Sequence, residues 1–275
     1  MKNIVKIIVT ACIVSFLVIP AFSQSTPSLM MATTTSTDNT GLLEYLAPPF
    51  TSDTGIVLKW VATGTGKALK LGENCDVDVL MVHAPAAEKK FVADGFGVDR
   101  REIMYNDFVI IGPASDPAGI KEKTVTAALK NIAEKQAFFV SRGDNSGTNK
   151  KEIFLWKAAD LSIPETETWY AQTGQGMLST IRVSEEKNGY TMTDRGTYIK
   201  YAHTAGGDPK LKILVEGDDG LKNQYSVMAV DPGLCANVKY ETALKFADWI
   251  TSARAQQLIA EFKLLGKVLF IPNAK

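Results

Sequence analysis

The 275-residue sequence predicts an α/β protein of two lobes, each built on a parallel sheet, joined by two crossing strands. Three observations predict it. Apolar runs of strand length alternate with amphipathic helical segments, the pattern of parallel sheets. Turns rich in Ser, Thr and Gly follow several of the strands, where open α/β sheets place their ligands. No Gly/Ser-rich linker interrupts the chain, although it is long for one hydrophobic core.

Met1–Ser23 is expected to be a cleaved signal peptide. Lys2 and Lys6 precede the apolar run Ile7–Pro20, and Ala21-Phe-Ser23 fits a small-x-small cleavage site. Val9-Thr-Ala-Cys12 resembles a lipobox, but the apolar core before Cys12 is far too short. The mature chain is expected from Gln24, exported and soluble. In the next stretch the predicted strands are Leu29–Ala32, Ile56–Val61, Val77–Val82 and Phe108–Ile111. The predicted helices are Gly41–Ala47, stopped by Pro48-Pro49, then Lys67–Leu71, closed by Gly72, and Ala86–Asp94, closed by Gly95.

A second α/β region follows. Thr124–Lys135 carries Val125, Leu129 and Ile132 on one side and predicts a helix. A strand, Ala137–Val140, leads through a polar turn into the helical pattern Lys151–Ala159. Thr173-Gly-Gln-Gly176 opens a helix over Met177–Lys187; Tyr190–Met192 reads as a strand, and Asp194 as the cap of a helix to Lys200. Strands are expected at Leu211–Val215 and Tyr225–Val230. The tail predicts helices Glu241–Ile250 and Ala253–Phe262 and a last strand, Val268–Ile271. With no flexible joint, the crossings are expected at Phe108–Pro113 and Tyr225–Pro232. That makes lobe 1 discontinuous, 24–110 plus 231–275, with lobe 2 at 111–230, and two short crossings form a hinge that can close on a ligand.

Apolar residues make up 45% and charged residues 22%, with formal net charge zero. This describes a globular chain and points to neither nucleic acid nor an anionic membrane surface as partner. Loss of Lys2 and Lys6 with the signal leaves the mature chain slightly acidic, so anion chemistry needs a local site. Cys75 and Cys235 remain after Cys12 leaves. Two readings stand for them, a disulfide or two free thiols near loops. With no CxxC and only His83 and His203 as histidines, no metal site and no cofactor are expected.

Three turns carry candidate chemistry. Arg142-Gly-Asp-Asn-Ser-Gly-Thr148 lies between a strand and a helix. Free N–H groups and the dipole of the helix start, the hydroxyls of Ser146 and Thr148, close backbone approach at Gly147 and the Arg142 guanidinium together make an anion cradle. Thr33-Thr-Thr-Ser-Thr37 supplies five hydroxyls before Asp38-Asn39. Ala62-Thr-Gly-Thr-Gly-Lys67 is the third, with Thr63 and Thr65. Ser, Thr and Asn are also ordinary helix caps, but three such turns with an arginine favour a ligand. Asp144 would repel an anion, and its expected role is to turn away, cap backbone or pair with Arg142.

Other chemistries fit less well. Gly64-Thr-Gly-Lys67 lacks a glycine at Val61 and a Ser/Thr at Ala68, so it is no Walker A loop, and Leu69 stands where a dinucleotide fingerprint needs glycine. There is no G-x-S-x-G elbow. His83 follows a strand and can act as a base, donate to an anion, or simply close the strand. A hydrolase using His83 and a serine of the turns is the enzyme alternative, and no catalytic residue is assigned.

Met31-Ala-Thr-Thr-Thr-Ser-Thr-Asp-Asn-Thr-Gly41, Val77-Asp-Val-Leu-Met-Val-His-Ala-Pro85 and Ser141-Arg-Gly-Asp-Asn-Ser-Gly-Thr148, with Gly174-Gln-Gly-Met177 and Tyr190-Thr-Met-Thr-Asp194, resemble the tungstate-binding proteins of ABC uptake systems. The resemblance covers essentially the whole mature chain. It implies a type II periplasmic binding protein fold, a periplasmic, non-enzymatic monomer, tungstate as ligand and an inner-membrane ABC permease as partner. It further implies ligand contacts at Thr33, Thr34, Thr35, Ser36 and Arg142, with Ser146, Gly147 and Thr148 as next donors. Thr65 is a further candidate, followed by Thr63, His83 and Gly176. Molybdate, sulfate and phosphate receptors share this design. Phosphate-binding proteins place an aspartate where this chain has His83, which argues against phosphate, since a bare dianion is best matched by donors only.

Overall fold

The computed structural model describes residues 26–275. The expected signal peptide and Val9–Cys12 lie outside the described residues. Among the described residues no helix is long and apolar enough to cross a membrane.

The chain runs β1 (Ser28–Thr34), α1 (Thr35–Asp38), α2 (Leu42–Thr54), β2 (Val57–Thr63), α3 (Thr65–Glu73), β3 (Val79–Val82), α4 (Pro85–Ala93) and β4 (Gly97–Pro113). There follow α5 (Val125–Glu134), β5 (Phe139–Ser141), α6 (Gly147–Ala158), β6 (Tyr170–Gln172), α7 (Met177–Glu186), β7 (Thr191–Asp194), α8 (Arg195–Thr204) and β8 (Leu211–Val215). After a 3-10 turn at Asp219–Leu221 come β9 (Lys222–Val230), α9 (Tyr240–Thr251), α10 (Ala253–Glu261), and the short strands β10 (Lys263–Leu264), β11 (Lys267–Val268) and β12 (Ile271–Pro272).

β1 is the middle of three parallel strands, with Ala32 opposite Val61 of β2 on one side and Leu80 of β3 on the other. Next to β3 lies β9, antiparallel, and next to β9 the first part of β4, paired from Gly97 opposite Val230 to Asp107 opposite Lys222. β12 closes that edge. From Phe108 onward β4 changes partners, taking β7 on one side and β8 on the other. β5 pairs in parallel with β6 and bridges to Tyr190 ahead of β7. Both sheets are therefore mixed rather than purely parallel, because the strands that cross between them return in the opposite sense to their neighbours.

The buried apolar side chains divide the same way. One pair of clusters packs Met104, Tyr225 and Val230 with β1, β3 and the C-terminal helices. The other packs Phe108, Val109 and Leu221 with α5, α6 and α7. The change of core thus falls at Asn106-Asp107 and at Lys222-Asn223. The expected divisions, after Ile110 and after Val230, fall later in the chain. The apolar runs Phe108–Pro113 and Tyr225–Val230 each lie wholly in one core, and it is short polar pairs that span the junction.

Local differences have local causes. α2 continues through Pro48-Pro49 to Thr54 instead of stopping, and Gly55 at φ 71° ends it. The hydrogen bonds the prolines forgo are offset by burial of Phe50, which packs edge-on to Phe246 at 5.2 Å and Trp249 at 5.3 Å. β4 begins far earlier than expected. Its polar half, Asp99-Arg-Arg-Glu102, hides the strand in the sequence, although pairing with β9 holds it. β6 was not expected at all. The tail forms a hairpin of β10 and β11 and the edge strand β12 in place of one strand over Val268–Ile271. Cys75 and Cys235 form a disulfide with Cα atoms 5.5 Å apart, tying the α3–β3 turn to the loop after β9.

Candidate functional site

A cavity of about 300 Å³ opens where the two cores meet. From the first core come Thr35, Ser36, Asn39, Thr40 and Leu264; from the second come Arg142, the start of α7 and the start of α8. Three helix starts therefore border one space. Of these, α1 is a single turn capped by Thr34 and α8 carries the Asp194 carboxylate on its Thr197 N–H, so the open N–H groups and partial positive charge are those of α7. Gly176, the N-cap of α7, offers no side chain to cap that helix, so Met177, Leu178 and Ser179 border the cavity uncapped. That combination suits a compact anion.

The early hydroxyl turn is ordered by its own hydrogen bonds. Thr34 caps α1 and accepts from the Thr37 N–H at 3.3 Å. Its Oγ1 lies 2.7 Å from Thr37 Oγ1 and 3.0 Å from Ser36 Oγ. Thr33 is different. It is fully buried and donates its hydroxyl to the Met81 carbonyl at 2.8 Å, which binds β1 to β3 and removes that hydroxyl from the ligand set.

The Arg142 turn is built from behind. Asn149 Oδ1 accepts from the Asn145 N–H, Asp144 Oδ1 from the Ser146 N–H, and the Ser146 hydroxyl caps α6 by accepting from Asn149 N–H. Gly143 at φ 62° sits against Gln172, where a Cβ would come within 2.6 Å of the Gln172 Cβ. Thr173 Oγ1 and Gly174 N–H both donate to the Arg142 carbonyl. Beneath the turn, Glu152 is buried and accepts from Ser141 Oγ at 2.7 Å, Tyr170 OH at 2.8 Å and Trp156 Nε1–H at 3.1 Å. Burial pushes its pKa up, and those donors pull the other way. Arg142 itself is 23% exposed, and its Nε lies 2.9 Å from Asp144 Oδ2. The pairing expected of Asp144 is thus present, as an ion pair in which Nε lacks an aligned hydrogen-bond acceptor.

His83 joins the halves of the site. Its Nε2 lies 3.0 Å from Ser36 Oγ and 3.1 Å from Thr34 Oγ1, and its Nδ1 lies 2.9 Å from Asn223 Oδ1. Its ring stacks obliquely on Tyr225 at 4.7 Å, and a Cβ added to Gly147 would come within 3.6 Å of its Cε1. The start of α6 therefore reaches His83. Burial lowers the imidazole pKa, against hydrogen bonding to Asn223 and the charge of Asp194. The following turn is held by Glu88, fully buried, which accepts from the Ala84 N–H and pairs with Arg100.

Among the sequence-derived candidates, Thr35, Ser36, Arg142 and Gly176 line the cavity, with Thr34 and His83 bonded directly behind Ser36. Thr63 and Thr65 do not line it. They sit at the end of β2 and the start of α3, one strand further from the junction. Ser146 caps α6, Thr148 is buried, and Gly147 meets His83 rather than the cavity. Sequence reading missed Ser179, Asp194 as a wall residue, and Lys200. Lys200 lines the cavity and donates from α8 to the Asn39 carbonyl across it, so Arg142 is not the only cation there. The uncapped glycine at 176 was the one readable sign of the α7 wall. Among the described residues, no group of three or more His, Cys, Asp or Glu could hold a metal ion.

Two cores joined by crossing strands, with an anion-suited cavity between them, define a bilobal solute-binding protein. Residues 21–254 match the model of the PBP superfamily domain. The tungstate-binding protein TupA of Campylobacter jejuni is 53% identical over 240 residues, which span 87% of this chain and 89% of that protein. The solved tungstate-binding protein TupA from Desulfovibrio alaskensis G20 is 65% identical over 90% of this chain and 100% of its own, with TM-score 0.88. A structure described as the tungstate ABC transporter from Geobacter sulfurreducens is 48% identical over 86% of this chain and 98% of its own, with TM-score 0.74. The chain belongs to the PBP superfamily and, within it, to the family of these tungstate-binding proteins.

Proposed function

We propose that this protein captures tungstate, as the bare dianion, in the cavity between its lobes and delivers it to an ABC permease of the inner membrane. It works as a periplasmic monomer, without catalysis. The lobes we assign are 26–107 with 222–275, and 108–221. The observation that carries the reading is the convergence of Arg142, the Thr35-Ser36 turn and the uncapped start of α7 on one space. Hydroxyls, backbone N–H groups and the cations Arg142 and Lys200 would hold the anion, and closure of the lobes would strengthen each charge-assisted hydrogen bond. The relatives named for tungstate support the choice of ligand. Tungstate and molybdate are alike in charge and shape, so calorimetry with tungstate, molybdate, sulfate and phosphate side by side is the test. Tight tungstate binding with weak or absent phosphate binding is expected; failure to bind any of the four would refute the reading.

A second reading has one observation in its favour. Ser36, His83 and Asn223 stand in the order nucleophile, base and orienting group. Against it, His83 Nε2 is shared with Thr34, and the relatives are named as binding proteins. Turnover of simple esters that disappears in Ser36→Ala would favour hydrolysis.

A further inference from the structure

His83 stands between the early hydroxyl turn and the crossing strands. Asn223 Nδ2–H donates to Asn106 Oδ1 at 2.7 Å, which turns the Asn223 carbonyl oxygen toward His83 Nδ1. An amide oxygen only accepts, so Nδ1 carries the hydrogen of the neutral ring. Nε2 is then a bare acceptor facing the hydroxyls of Ser36 and Thr34. A hydroxyl has one hydrogen to donate. Thr34 Oγ1 has Thr37 Oγ1 nearer to it, at 2.7 Å, than Nε2 at 3.1 Å, so the hydroxyl that both faces Nε2 and borders the cavity is that of Ser36. An oxyanion in the cavity competes with Nε2 for its hydrogen. Once the hydroxyl donates to the anion, it shows Nε2 only lone pairs, and two acceptors face each other. A proton on Nε2 removes the conflict and sets a positive charge beside the dianion.

We infer that oxyanion binding takes up one proton, from water or buffer, at His83 Nε2, so that the imidazole turns from acceptor to donor toward Ser36 and Thr34 as the site fills. The inference rests on the oxyanion reading of the cavity. The groups around the ring fit it. Asp194, at the head of α8, favours the imidazolium, and Arg142 and Lys200 on the same cavity oppose it until an anion neutralises them. Tyr225 against the ring has its own pKa pushed up by burial and stays neutral. Glu88, in the next turn, is matched by Arg100. Withdrawal of the ring from water keeps it neutral near pH 7 before binding. His83 is thus a positioning residue that donates from Nδ1 to Asn223 in both states and changes role only at Nε2 as the site fills.

The sequence holds only two histidines, His83 and the exposed His203, so imidazole nitrogen NMR on the wild-type protein reads the charge state directly, with His203→Gln to assign the signals. At pH 7.5 the Nδ1–H neutral form is expected alone, and both nitrogens protonated with saturating sodium tungstate. Calorimetry in buffers of differing ionisation enthalpy should show uptake of about one proton in the wild type and none in His83→Gln. Wild-type affinity should rise up to about tenfold per unit fall in pH, against a flat profile in the variant. An imidazole with the same charge and tautomer with and without tungstate, or binding heats independent of the buffer, overturns the inference while leaving tungstate binding intact. Absence of tungstate binding in every buffer instead removes the reading beneath it.

Discussion

Replacing Arg142 by alanine is the sharpest test of the cavity. The guanidinium is one of two cations on its wall and is mostly buried. A unit charge 4 Å from another interacts by about 4 kcal/mol at an effective dielectric near 20, and a dianion doubles that gross figure. Partial exposure and the neighbouring Asp144, which already draws on the same charge, reduce it. Removal also leaves Asp144 unpaired, adding repulsion toward the anion. The net loss is expected at about 2–5 kcal/mol, the range for a close charge pair that loses one partner. Tungstate Kd in calorimetry should therefore rise roughly 30- to 4,000-fold, at 1.4 kcal/mol per tenfold. Arg142→Ala combined with Asp144→Asn should recover part of that loss, because the stranded carboxylate is gone. A single variant that binds within threefold of the wild type would show that the cation contributes nothing and that the cavity has been misread.

Lys200→Met should weaken tungstate binding roughly 3- to 30-fold, in line with loss of a more exposed charge contact, and should shift the small-angle scattering profile toward open lobes through loss of the Asn39 contact. Breaking the disulfide with Cys75→Ser and Cys235→Ser should cost about 2–4 kcal/mol in denaturant melts, with the tungstate site intact at low temperature; an unchanged midpoint would count against the bond. Glu152→Ala leaves three buried donors without an acceptor and should destabilise by about 2–4 kcal/mol. Because the folded-state pKa of Glu152 is raised, the protonated carboxyl is favoured in the fold. Its contribution is therefore fully present below the ordinary glutamate range and is lost as pH rises through the folded pKa. The difference in midpoint between wild type and Glu152→Ala should narrow over that interval, and a gap that widens would contradict the sign.

Much of this was legible before any coordinates. Strand–turn–helix alternation shows in the sequence because each element must bury one face, and burial writes a period of 2 or 3.6 into the residues. The cap Asp194 was readable for the same local reason, as was the pairing of Asp144 with Arg142, one of three roles open to it, while Ser146, read as a ligand donor, also caps α6. What failed was non-local. The polar half of β4 is a strand because β9 supplies its partners, and α2 runs through two prolines because Phe50 has a pocket of aromatic rings beyond them.

The amino-acid order alone set the family pattern, the three hydroxyl-rich turns and the arginine, since these depend on neighbours a few residues apart. It could not say which hydroxyls stay free. Thr33 and Ser36 are three residues apart in one run, yet β3 takes the hydroxyl of the first while the second lines the cavity. Nor could it bring Lys200 to Asn39 or His83 to Asn223, pairs far apart along the chain. A hydrogen donor is available to a ligand only if no acceptor from elsewhere has already claimed it, and those acceptors are brought near only by the packing of the whole chain.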